Sequence, residues 1–134
     1  MVDIRYKTNA SSVFSLKYHL VWCPKYRRNI LVGNVVTRLK ELLSKKANQL
    51  DVDIEALEIM PDHVHLFVSS DPTKAPQYLA NQFKGYTSRV LRQEFAYLRN
   101  RASVLWSRSY YVGSIGHVSE ETVRKYIETQ EKRS

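Results

Sequence analysis

A chain of 134 residues with 43% hydrophobic and 25% charged residues, and only four Gly and four Pro, has the composition of a folded protein without long disordered segments, and residues 1–134 fit one domain. Twenty-one Lys and Arg against thirteen Asp and Glu give a net charge of +8, which favours a polyanionic partner, nucleic acid first, through phosphate neutralisation. One cysteine, Cys23, excludes an intramolecular disulfide and a Cys-based zinc cage; the polar first residues and the lack of a long apolar run predict a cytoplasmic protein with no membrane span.

From Phe14 to Trp22 the residues alternate, with Phe14, Leu16, Tyr18, Leu20 and Trp22 on one side and Ser15, Lys17, His19 and Val21 on the other. This predicts a strand with one buried face. Pro24 ends it, and Lys25-Tyr26-Arg27-Arg28 forms a basic loop around an aromatic ring. Val35, Leu39, Leu42, Leu43 and Leu50 then recur at helical spacing and predict a first helix from about Gly33 to Leu50.

Val52 to Met60 reads as a second strand, Pro61-Asp62 as a tight connection and His63 to Ser69 as a third strand, hairpinned to the second. Val64, Leu66 and Val68 share one face of that third strand; His63, His65 and Phe67 share the other. Pro76 fits the first turn of a second helix that ends before Arg101, with Leu79, Phe83, Tyr86 and Val90 inward and Lys84, Arg89 and Arg92 toward solvent. A short fourth strand fits Tyr110 to Val112, and Gly113-Ser114-Ile115-Gly116 breaks the pattern. Ser119 can cap a last helix, with Glu120 and Glu121 in its first turn. The order predicts an α+β fold: a ferredoxin-like split βαβ antiparallel sheet with two helices on one face, plus a C-terminal helix carrying Tyr126.

Two histidines two apart on a strand can offer both imidazoles to one ion from the open sheet face. Such a pair suits Mn²⁺ by ligand chemistry and admits Mg²⁺ where phosphate oxygens complete the shell, although His-x-His also arises without a metal. Tyr126 and Gln130 lie four apart on one helix face, so a phenol and an amide oxygen can approach one phosphate together. The same residues continue the Val123, Tyr126, Ile127, Gln130 stripe of a docking helix, so packing is the competing reading. Tyr110 and Tyr111 are rival nucleophiles better suited to packing or base stacking, and His19 and His117 read as structural or surface groups, with a supporting or substrate contact also open to His19, which faces the same way as Ser15 and Lys17. Lys25, Arg27 and Arg28 around Tyr26 have the form of a DNA backbone grip with a stacking ring, with Lys84 and Arg92 as further contacts.

Four ordered blocks carry a resemblance over nearly the whole chain: Tyr18 to Arg28, Met60 to Leu66, Leu105-Trp106-Ser107, and Val123 to Gln130. Together they resemble the single-tyrosine HUH transposases of small insertion sequences, the IS200/IS605-like family. The resemblance implies an RRM-like sheet, a divalent ion, Mg²⁺ or Mn²⁺, held by His63, His65 and Gln130, and Tyr126 as nucleophile. It further implies cleavage and rejoining of single-stranded DNA, folded into hairpins at element ends, through a 5′-phosphotyrosine. A homodimer whose tyrosine helix acts in the partner's site is also implied, with Gly113 and Gly116 supplying a flexible link. The competing readings are a non-catalytic single-strand or RNA-binding module, and a related HUH relaxase or replication nuclease. Against the first, His63 and His65 stand where such modules carry an aromatic motif on the third strand, leaving Phe67 as the ring there.

Overall fold

A computed structural model describes residues 7–8, 13–14, 16–101, 104–114 and 120–130. The elements are β1 (Lys7–Thr8), β2 (Val13–Phe14), β3 (Leu16–Trp22), a 3₁₀ turn (Lys25–Arg27), α1 (Asn34–Leu50), β4 (Asp53–Met60), β5 (His63–Ser70), α2 (Pro76–Glu94), α3 (Ala96–Arg101), β6 (Tyr111–Ser114) and α4 (Glu120–Thr129). The main sheet has the order β4-β5-β3-β6 with every neighbouring pair antiparallel. The expected α+β split βαβ architecture is therefore present, with β3 and β5 at its centre.

Alternation along β5 sets the layers. Val64, Leu66 and Val68 are fully buried with Leu20 and Trp22 of β3, beneath Leu39, Leu42 and Leu43 of α1 and Leu79 and Phe83 of α2. Gly33 takes the left-handed φ of 58° just before α1, which glycine does without steric cost, and Asp51 closes the helix in an αL cap. Pro61-Asp62 joins β4 to β5 so that Met60 pairs with His63.

Four expectations are corrected. Phe14 pairs with Lys7 in a separate two-stranded ribbon instead of extending β3. The long second helix is interrupted at Phe95, whose extended backbone (φ −117°, ψ 96°) re-aims α3 so that Leu98 is buried. Gly113 is part of β6, paired with His19, where a Cβ would meet the Tyr111 hydroxyl at 2.8 Å; its lack of a side chain serves packing. The second face of β3 is not open, because Val123 and Ile127 of α4 cover Val21 and Cys23. The expected helix cap at Ser119, and Ser15, Ile115, Gly116 and His117, lie outside the described residues.

Candidate active site

His63 and His65 emerge together from the α4 side of the sheet, their rings 4.8 Å apart and nearly perpendicular. Each has its Nδ1 engaged. The Asp62 carboxylate accepts from His63 Nδ1 at 2.6 Å and from Arg27 Nε at 2.6 Å, while His65 Nδ1 lies 3.0 Å from Nε2 of His19. With Nδ1 occupied, Nε2 is the nitrogen each ring can offer. Burial, then neighbouring His63, lower the pKa of His65 below the usual histidine range, opposed by Glu58, its cross-strand partner; the neutral ring is the ligating form. Burial alone would raise Asp62, but hydrogen bonds from Arg27 and His63 outweigh it and hold the carboxyl below its usual range.

These rings line a cavity of about 620 Å³ together with His19, Arg27, Glu58 and Phe67 of the sheet side and Val123, Arg124, Ile127 and Glu128 of α4. Burial and then His65 depress His19 to about 4, so it is a neutral imidazole in ordinary buffers.

Tyr126 and Gln130 share one side of α4, as their spacing predicts, but neither lines that cavity. Gln130 is buried, and its Oε1 accepts from the hydroxyls of Ser107 at 2.7 Å and Ser109 at 3.0 Å. With the Ser109 hydroxyl donating to Gln130, the Tyr126 phenol 3.2 Å away donates to Ser109. The structure thus brings His63 and His65 together in one group and Tyr126 and Gln130 in another.

The seat for Gln130 is built by the segment before β6. Leu105 O accepts from Lys25 N, Ser107 N donates to Cys23 O, and Trp106 Nε1 donates to Thr87 Oγ1 at 3.0 Å. Lys84 completes it: its ammonium donates to the carbonyls of Ser107 (2.8 Å), Arg108 (3.3 Å) and Ser109 (3.0 Å). Lys84 was expected to face solvent; it is buried instead, because three carbonyls from a segment more than twenty residues along the chain converge on it. Its ammonium is thereby engaged within the protein. Arg92 is half-buried, with its Nε enclosed by protein.

Of the basic loop, Tyr26 is 47% exposed and flanked by Lys25 and Arg28, each 5.6 Å from the ring centroid. Arg27 turns away to Asp62. Tyr26 and Arg27 both have positive φ, 60° and 54°, an uncommon pair for side-chain-bearing residues that lets neighbouring side chains point in opposite directions. Asp62, His19, Ser107 and Ser109 were not singled out as site residues by the sequence. Asp62 had a signal there in its place immediately before His63, His19 in its side of the first strand, and Ser107 in its place within one of the four blocks, whereas Ser109 had none.

Two imidazoles with Nδ1 tied match the donor set of a transition-ion site that keeps positions for other ligands, provided that each carries its lone pair on Nε2. Among the described residues no cluster of three or more His, Cys, Asp and Glu could hold an ion without further donors. The residues fit a divalent ion only if the substrate, or an amide such as Gln130, completes the shell.

The chain is 33% identical over 132 residues to the ISDra2 transposase TnpA of Deinococcus radiodurans, covering 97% of this chain and 94% of that one. It is 30% identical over 128 residues to the transposase for insertion sequence element IS200 of Salmonella typhimurium, covering 92% and 82%. A crystal structure from Deinococcus radiodurans R1 at 1.90 Å superposes with a TM-score of 0.86 and 33% identity over 92% of this chain and 97% of that chain. A REP-associated tyrosine transposase bound to a REP hairpin shares the fold, with a TM-score of 0.59 at 11% identity over 91% of this chain and 68% of that one. Fold and sequence together define a DNA transposase. The sequence model of the IS200-like transposases matches residues 12–130, and the chain belongs to that family.

Proposed function

We propose that this transposase cuts and rejoins single-stranded DNA at the ends of its element by transesterification, with Tyr126 as nucleophile and His63, His65 and Gln130 as ligands of a Mg²⁺ or Mn²⁺ ion. The observation that carries this reading is the pair of imidazoles, each with Nδ1 tied to an internal partner and both lining one cavity. When bound there, the ion would polarise the scissile phosphate and stabilise developing charge. The Tyr126 phenol oxygen attacks phosphorus, the phenol proton leaves, and the strand's 3′ oxygen departs and is protonated. The products are a 5′-phosphotyrosine and a free 3′ hydroxyl, and a second 3′ hydroxyl reverses the step to rejoin DNA. Arg27 at the cavity wall and the group beside it, exposed Tyr26 and Arg28 with half-buried Lys25, suit a phosphate backbone and a stacked base.

The reaction requires Tyr126 to leave Ser109 and meet the histidine cavity. Delivery of α4 to the site of a second copy in a homodimer would achieve this, and two features support it. Among the described residues, the buried apolar side chains of α4 are Val123 and Ile127, worth roughly 1.5–3 kcal/mol each, with Tyr126 half-buried against the same cluster, and hydroxyl hydrogen bonds from Ser107 and Ser109 hold the following Gln130. The substrate would be a hairpin-forming single strand, and the setting the cytoplasm, where the element's DNA lies.

The test is incubation with a labelled single-stranded element end and Mn²⁺ or Mg²⁺, followed by a search for a covalent protein–DNA adduct. Tyr126→Phe should abolish the adduct and His63→Ala should abolish metal-dependent cleavage. An adduct that survives Tyr126→Phe overturns the nucleophile; tight binding indifferent to chelator, with no scission, supports a non-catalytic binding module instead.

A further inference from the structure

We propose that His19 is a positioning residue of the metal site: its Nε2 accepts the Nδ1 proton of His65 and thereby leaves His65 Nε2 as the lone pair that ligates. The inference rests on the reading of His63 and His65 as metal ligands.

The two histidines are oriented by chemically different partners. A carboxylate can only accept, so Asp62 fixes the proton of His63 on Nδ1. His65 faces another imidazole at 3.0 Å, and two neutral imidazoles can share that contact in two ways. If His65 donates, its Nε2 carries a lone pair. If His19 donates, the remaining proton of His65 lies on Nε2 and blocks a metal there. The far nitrogen of His19 does not settle the choice, since its Nδ1 is buried without a hydrogen-bond partner among the described residues. A cation at His65 Nε2 is compatible only with the first arrangement, so ligation at His65 requires His19 to act as acceptor.

The surroundings hold His19 in the orientation that role needs. Its ring lies flat on Phe67, with centroids 4.2 Å apart and planes 4° from parallel, and the edge of Tyr111 closes it at 6.0 Å. Gly113, opposite His19 on β6, leaves the space that the Tyr111 hydroxyl fills. A histidine serving only to fill this slot would need the ring and its stacking; a positioning residue needs the acceptor nitrogen as well. Substitution separates the two, because His19→Phe keeps an aromatic ring against Phe67 and removes the acceptor, whereas His19→Gln gives up the stacking but restores an acceptor oxygen.

The full-length protein is titrated calorimetrically with Zn²⁺, a diamagnetic ion with affinity for imidazole, and the tautomer of His65 is read from long-range ¹H–¹⁵N spectra of the loaded wild type. The expected results are a His65 protonated on Nδ1, a Zn²⁺ affinity roughly 10–100-fold weaker in His19→Phe, and recovery of most of that loss in His19→Gln. Wild-type affinity in a folded His19→Phe overturns the proposal while leaving the metal site intact. A loaded wild type whose His65 lacks a proton on Nδ1 means that Nε2 of His65 does not ligate, and overturns that ligand assignment together with the role of His19, a result that needs no variant to fold. If wild type and His63→Ala bind Zn²⁺ equally poorly, the metal reading fails first and the role of His19 falls with it.

Discussion

Oδ1 of Asp62 lies 2.6 Å from Nδ1 of His63, and the other oxygen of the same carboxylate holds Arg27 Nε at 2.6 Å. One turn residue thus orients a candidate ligand and ties the basic loop to it. Replacing it by Ala should weaken metal binding and cleavage by roughly 10–100-fold, since the imidazole loses the acceptor that fixes its proton. Calorimetric metal titration with a parallel cleavage assay checks this, and an Asp62→Ala protein with wild-type metal affinity would show that the His63 ring orients itself. Because Asp62 has a depressed pKa, its contribution to stability is present above the unfolded carboxylate value and is lost as pH falls through the lower folded one.

Lys84 is the internal cation on which the Ser107–Ser109 segment is built. Burial lowers it to about 8, partly offset by Cys23, so it remains an ammonium at neutral pH and meets three carbonyls. Lys84→Met removes the desolvation cost but leaves those acceptors without their donor. The lost charge-assisted bonds should dominate, and denaturant unfolding should register a loss of about 1.5–3 kcal/mol. A variant as stable as wild type would mean that water or a neighbour replaces the ammonium.

Ser107 and Ser109 are the two hydroxyl donors to the buried Gln130 oxygen. The double replacement by Ala leaves that oxygen without them, at a local cost of about 1–3 kcal/mol. Hydrogen exchange should then accelerate in α4, by about tenfold or more, while the amides of β3 and β5 keep their protection. Equal acceleration throughout would indicate global destabilisation, and none at all would mean that the packing of Val123, Tyr126 and Ile127 holds the helix without those bonds.

How far the sequence disclosed this arrangement depended on the range of each interaction. The phase of β5 was legible because period-two alternation is local, and it put Val64, Leu66 and Val68 in the core and the two histidines on the other face. The common side of Tyr126 and Gln130 followed from helical spacing, but what that side touches did not, since Ser107 and Ser109 are brought there by the pairing of Trp106 with Pro24. The contact of His19 with His65 needs β3 and β5 to be neighbours, which neither strand's own pattern dictates. Lys84 looked solvated because a polar residue on an amphipathic helix usually is; its inward reach depends on carbonyls over twenty residues away.

Cys23 supplies a prediction about both reactivity and pH. It is fully enclosed beneath α4, and burial first, then Asp62, push its thiol up to about 12, against opposition from Arg27 and Lys84. A thiol is attacked as its thiolate, so the native protein should react with a disulfide reagent at mildly alkaline pH far more slowly than the denatured chain. The sign for stability follows from the same shift. The folded state holds the proton more tightly than the unfolded thiol, with its ordinary value of 9.0, so this contribution is complete below about 9 and is lost as pH rises toward 12. Lys84 acts oppositely, since its lowered value makes stability rise between about 8 and 10.5. Unfolding curves of Lys84→Met therefore isolate the cysteine: its stability should decline with pH above about 9, and Cys23→Ser in the same background should lose that decline. Rapid labelling of the native thiol would instead show that α4 opens readily enough to expose it.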